Sequence, residues 1–197
     1  MSSGESFYAE IPEKRLVLSV EELSARLGIR GEYPNDLISE CERKLRKVLE
    51  CRYAAVRIPV FYPGKDKIDL GFGAFFSHSL YKNLSRCDEA FIFAVTLGYG
   101  ADRLLGRLSA VSAAEYFITD ALASAFAEAA SEYTDKEIKG ALKCRPRFSP
   151  GYGDFPLSLQ TQLLSAVNAG KLLNIVLSKS LLMSPSKSVT AIMGICN

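Results

Sequence analysis

A chain of 197 residues that is 48% hydrophobic and 23% charged has enough apolar side chain for one sizeable core or two small ones, which excludes a disordered tail protein. Its 24 lysines and arginines against 22 aspartates and glutamates leave a formal charge of +2, too small for affinity driven by phosphate neutralisation, so nucleic acid is not an expected partner. Five cysteines with no C-x-x-C spacing and a single histidine exclude a disulfide framework, a zinc site and any multi-histidine metal centre.

The first residues, Met1-Ser2-Ser3-Gly4-Glu5, contain neither a basic nor an apolar region and predict no signal peptide. The longest apolar run, residues 90–101, is 12 residues long and too short to span a bilayer, so a cytoplasmic protein without membrane contact is expected. Residues 7–18 mix charged and apolar side chains and predict one short strand over 16–18. Ser19-Val20-Glu21-Glu22 has the form of a capping box, and Val20, Leu23 and Leu27 follow at helical spacing before Gly31, predicting a short helix. Pro34 and Asn35 then open a second helix, expected to run to about Cys51, with Leu37, Ile38, Cys41, Leu45, Val48 and Leu49 as its apolar stripe.

Val56, Ile58 and Val60 alternate as in a half-buried strand, with Pro59 marking a sheet edge or the strand's end, and 68–75 is a candidate partner. The run 90–95 is apolar on both faces, as expected of a central strand covered by helices. Val111, Ala114, Phe117, Ile118, Ala121, Leu122, Ala125, Phe126 and Ala129 keep a helical period over about five turns, which predicts a long alanine-rich helix. After Cys144 come an irregular loop, a helix over about 157–167 and a stop at Ala169-Gly170. The end reads as a hairpin, with strands over 181–183 and 188–195 joined by Ser184-Pro185-Ser186-Lys187. No repeat or linker divides the chain, so a single α+β domain over 1–197 is the reading.

Few residues are suited to acid-base or nucleophilic chemistry. His78 sits in Ser77-His78-Ser79, a helix start, and reads as structural or solvated. No G-x-S-x-G, H-E-x-x-H or Walker sequence occurs. Gly98-Tyr99-Gly100 follows a strand and precedes a helix, but Arg103 stands where the third glycine of a dinucleotide fingerprint belongs, so it reads as a tight turn. The sharpest signal is the segment 145–156, RPRFSPGYGDFP, in which three prolines and two glycines stiffen a loop carrying Arg145, Arg147 and Tyr152. A guanidinium fork on such a loop suits a ligand carboxylate or phosphate, and equally an acid on the long helix.

Three segments, 122–128 (LASAFAE), 147–152 (RFSPGY) and 180–189 (SLLMSPSKSV), resemble in order and separation the activation domain of cobalamin-dependent methionine synthase. The resemblance covers roughly the last half of the chain and implies a mainly antiparallel twisted sheet with packed helices, in a free-standing version of that domain. It further implies binding of S-adenosylmethionine and support for reductive methylation of oxidised cobalamin, the cobalamin being carried by a separate methionine synthase core. A flavodoxin or another reductant would supply the electron. By the motif, Arg147 would hold the methionyl carboxylate or nearby backbone polar groups of the ligand, while Pro150, Gly151 and Tyr152 would wall the site. The family's helix carboxylate falls on Ser124, and the nearest acid on that flank is Glu128, one turn later. Two other readings stand beside this one: a docking module whose ligand site has degenerated, and an unrelated small-molecule enzyme using Arg145, Arg147 and Glu128.

Overall fold

In the computed structural model, which describes residues 5–28 and 36–196, the chain runs β1 (Ser6–Glu10), α1 (Val20–Leu27), α2 (Asp36–Arg46), β2 (Arg52–Pro59), β3 (Phe61–Gly64), β4 (Lys67–Asp69) and β5 (Ala74–Phe76). It continues through α3 (His78–Asn83), β6 (Glu89–Thr96), α4 (Tyr99–Val111), α5 (Ala113–Lys139), β7 (Lys143–Cys144), α6 (Gln160–Ala166), α7 (Ala169–Leu173), β8 (Val176–Leu177), β9 (Met183–Ser184) and β10 (Ser188–Cys196). Five strands form one antiparallel sheet in the order β1-β2-β6-β10-β7.

The apolar run does become the central strand: everything from Ala90 to Thr96 is buried. Alternation then divides its side chains between two cores. Phe91, Phe93 and Val95 pack with Leu23 of α1, Ile38, Cys41 and Leu45 of α2, Leu104 and Leu108 of α4, and Leu122 and Phe126 of α5. Ala90, Ile92 and Ala94 pack on the other face with Ile68, Leu80, Phe155, Leu163 and Leu173. A sheet covered on both faces and helices packed against it make this an α+β fold, as expected. Cys41, Cys51 and Cys87 are buried, Cys144 and Cys196 half-buried, and all five are free. Burial pushes the Cys51 thiol up to about 12.

The long helix forms, with different ends. Ser112, at φ −157°, stops α4 by donating its N–H to Leu108 O and caps α5 by accepting from Glu115 N at 3.2 Å. Val111 therefore belongs to the preceding helix and is 77% exposed, and Phe117 is 55% exposed, although both fit the apolar period. α5 then continues well past Ala129, to Lys139. The Arg46 guanidinium lies 4.6 Å from the centre of the Phe126 ring, a cation–π contact that seats α2 on α5.

Several expectations are corrected. Residues 16–18 are not a strand: Leu16 follows a single 3₁₀ turn, and the strand is β1, paired with β2 so that Phe7 lies opposite Ala55. α2 stops at Arg46, short of Cys51, because the chain must turn to let Glu50 N donate to Leu97 O at 3.0 Å. Pro59 ends β2, but β2 is an interior strand, and 68–75 pairs instead within a separate small sheet of β3, β4 and β5. The helix over 157–167 forms as a 3₁₀ turn running into α6, and its stop is Asn168 at φ 53°; Ala169-Gly170 begins α7. The final hairpin is absent. β9 pairs with β8, whereas β10 crosses to pair with β6 and β7, and the Ser184–Pro185 peptide between them is cis. Gly31, Pro34 and Asn35 lie outside the described residues.

Candidate functional site

The loop over 145–156 is fixed by its neighbours as well as by its prolines. Phe148 exchanges main-chain hydrogen bonds of 2.8 and 2.9 Å with Ile192 of β10, and Arg145 Nη2 donates to Ser85 O at 3.0 Å. Asp154 accepts from His78 N at 2.8 Å and from Ser79 N and Ser77 Oγ at 2.9 Å each, so the loop ties down the start of α3. These donors, the Ser79 N–H foremost, hold the Asp154 carboxyl well below the usual carboxylate range. Gly153, at φ +54°, brings the backbone so close that a Cβ there would meet Ser79 Oγ at 2.5 Å. The Tyr152 ring stands edge-on to Phe148 with centroids 6.2 Å apart and is 63% exposed.

Arg147 crosses from this loop to α5. Its Nη2 donates to Glu128 Oε1 and its Nη1 to Asp135 Oδ2 at 2.5 Å. A guanidinium has five N–H hydrogens, so this clamp leaves others free to serve a further acceptor. Burial opposes the Arg147 charge, but Asp135 and Glu128 outweigh it and hold its pKa above the ordinary arginine value. Burial raises the Asp135 carboxyl above its ordinary value, with Arg147 pulling the other way, and Asp135 Oδ1 is buried without a partner among the described residues. One cation facing two carboxylates leaves the group net negative.

Two adjoining hollows lie beside these residues. The first, of about 510 Å³, is walled by Glu128, Asp135, Pro146, Arg147, Ser149 and Val189, with Tyr152 at its edge. The second, of about 340 Å³, shares Ser149, Tyr152 and Val189 with it and extends over Pro150, Gly151, Gln160, Met183 and Thr190. Tyr152 thus stands between a negatively charged hollow and a neutral one. Of the residues singled out in the sequence, Arg147, Glu128 and Tyr152 meet in the first, and Pro150, Gly151 and Tyr152 wall the second. Ser124 lines neither. Its Oγ donates to Asp120 O at 3.0 Å and accepts from Lys187 Nζ at 2.9 Å, and Lys187 also pairs with Asp120 Oδ1 at 2.8 Å.

Asp135, Asp120 and Lys187 were not anticipated. Asp135 lies two helical turns beyond Glu128, a spacing that puts both carboxylates on one face and was available as a signal. His78 Nδ1 meets Asp66 Oδ1 at 2.9 Å and lines neither hollow, and Gly98-Tyr99-Gly100 is the entry to α4. Among the described residues no cluster of histidine, cysteine, aspartate or glutamate is arranged to hold a metal, and no helix is long and apolar enough to cross a membrane.

The architecture, an antiparallel sheet covered by helices on both faces, is shared with a solved structure. The chain is similar to the crystal structure of the MetH reactivation domain bound to AdoHcy, with a TM-score of 0.74 over 98% of this chain and 79% of that one, at 17% sequence identity. At that identity the likeness shows a shared fold. No protein-family model matches the chain, and no curated protein sequence is similar to it.

Proposed function

We propose that this chain binds S-adenosylmethionine and serves as a reactivation subunit in trans for a cobalamin-dependent methionine synthase core. The observation that carries the reading is the net negative hollow of Glu128, Arg147 and Asp135 beside the exposed ring of Tyr152. S-adenosylmethionine has a sulfonium, an ammonium and a carboxylate, a net positive charge that this hollow complements. Glu128 accepts from the ammonium, the remaining Arg147 hydrogens donate to the carboxylate, and the Tyr152 face attracts the sulfonium. Pro150 and Gly151 let the backbone approach the rest of the ligand closely.

The partner's cobalamin supplies the nucleophile, a flavodoxin or other reductant supplies the electron, and the sulfonium is already a good leaving group. What remains for this chain is to bind, orient and exclude water, which needs no general base. A set of residues that includes one histidine, which lines neither hollow, suits that division of work.

A second reading, a docking module with a degenerate ligand site, is favoured by a specific observation: Arg147 and Ser124 are both engaged within the chain, by Glu128 and Asp135 and by Lys187 respectively. Calorimetry separates the two. Titration with S-adenosylmethionine is expected to release binding heat, and Glu128→Gln to weaken binding about tenfold or more through loss of a charge-assisted bond. No heat, together with co-elution with the core, would establish the docking module. Function is read directly by adding the chain, S-adenosylmethionine and a reductant to a core enzyme holding oxidised cobalamin. Methylcobalamin should appear in the absorption spectrum, and a chain that alters neither its yield nor its rate refutes the proposal.

A further inference from the structure

The second hollow cannot share the chemistry of the first, because no charged side chain lines it. It lies where the loop over 149–152, the start of α6, β9 and the outer edge of β10 come together. Two polar side chains reach it while almost wholly buried, Gln160 at 5% exposure and Thr190 at 3%. Gln160 Nε2 donates to Leu181 O at 3.1 Å, which sets the orientation of the amide and leaves Oε1 as an acceptor with no partner among the described residues. Thr190 Oγ1 likewise has none, and neither oxygen is among the polar atoms sealed from solvent. Ser188, two residues away on β10, is different: its hydroxyl donates to Pro185 O and is also hydrogen-bonded to the Thr96 hydroxyl, both at 2.8 Å.

The main chain adds a second donor and acceptor. Ile192 exchanges both of its main-chain bonds with Phe148 on the outer edge of β10. In an antiparallel strand, residues two apart present N–H and C=O to the same edge, so those of Thr190 also face outward. There Ser149 and Pro150 pass without bonding them. Buried polar groups are normally satisfied, and a site that leaves a side-chain acceptor, a hydroxyl and a strand edge open is built to receive something that completes them.

We infer that this hollow is a recognition subsite for a neutral planar group that sets an N–H donor beside an acceptor. Gln160 Oε1 takes the donor, Thr190 supplies the complementary hydroxyl and main-chain groups, and Met183 and Pro150 furnish apolar walls. A primary carboxamide and the edge of an aminopurine both have this pattern. The inference deepens the function proposed above, since the group comes either from the base of the nucleoside ligand or from the carboxamides at the rim of the partner's corrin.

Calorimetric titration of the full chain with adenosine, purine riboside and dicyanocobinamide tests it and distinguishes the sources. Adenosine or the cobinamide should bind, and Thr190→Val should weaken that binding about tenfold or more while leaving the melting temperature unchanged, since the lost hydroxyl has no protein partner. Gln160→Met should weaken it similarly; if that variant does not fold, Thr190→Val decides alone. If the base is the source, purine riboside, which keeps the ring nitrogens and lacks the amine donor, should bind about tenfold more weakly than adenosine. Failure of both adenosine and the cobinamide to bind, or binding indifferent to Thr190→Val, overturns the subsite. S-adenosylmethionine run in parallel against Glu128→Gln keeps the two questions apart. Silence there, with adenosine or cobinamide binding that depends on Thr190, refutes the proposed function and leaves the subsite standing. Binding there that responds to Glu128→Gln, with Thr190→Val inert throughout, does the reverse.

Discussion

Arg147 shows how a residue can be singled out in a sequence and one of its partners missed. A guanidinium fork on a stiff loop was legible, and Glu128 was the nearest acid in register, but the fork suits a ligand carboxylate and a helix carboxylate alike, so the choice lay beyond the sequence. In the fold it bridges Glu128 and Asp135 at once. Arg147→Met should cost about 1–3 kcal/mol, because Asp135 is left largely buried with neither oxygen bonded by the loop. Adding Asp135→Asn should restore part of that loss, as read by urea denaturation of the two single variants and the double. The pH dependence has a definite sign. Burial raises the Asp135 carboxyl, and removing Arg147 raises it further, so the protonated form is favoured in the fold. The single variant is therefore least impaired below the unfolded carboxyl value of about 3.9 and loses stability as pH rises through the elevated range. A deficit that grows toward low pH would refute the assignment.

At the level of elements, local pattern identified helices and the buried strand well and their ends poorly. The apolar period runs unbroken through Ser112, yet a serine able to cap forward outcompetes helix continuation, and α4 and α5 separate there. The run through Val48 and Leu49 reads as more helix, yet α4 needs that stretch of chain against its first turn. Gly100 is the evidence: a Cβ there would fall 1.9 Å from Val48 O. Gly100→Ala should therefore destabilise the protein by about 2–3 kcal/mol, where an alanine in an open helix position would stabilise it. Thermal melts of Gly100→Ala and of Gly106→Ala, whose Cβ would meet nothing within 4 Å, make the comparison within one helix. Equal effects of the two would remove the packing argument.

For the whole molecule, the α+β class followed from the succession of expected helices and strands and the double covering of β6 from one apolar run, whereas strand pairing did not. β9 and β10 are neighbours along the chain and partners of different strands, because β10 buries more by joining β6 than by folding back on a two-residue strand. The segments resembling a known family lay in the last half of the chain, while the structural likeness extends over 98% of it. Strand order is a property of distant contacts, and no local period encodes it. One sheet serving two cores also predicts how the protein comes apart. Ile92 and Phe93 are successive residues pointing into opposite cores. Ile92→Ala and Phe93→Ala should each cost about 3–5 kcal/mol, and each should give a single transition on which far-ultraviolet dichroism and tyrosine fluorescence coincide. Two separated transitions in either variant would mean that the cores unfold independently.

The position of β10 bears on how the chain is made. It is threaded between β6 and β7 and also forms the rim of both hollows. During synthesis β6 emerges about a hundred residues ahead of it, with one edge unpaired and apolar side chains on both faces. Until Cys196 leaves the ribosome the nascent chain exposes a ready template for wrong pairing, and that interval is when a chaperone has most to protect.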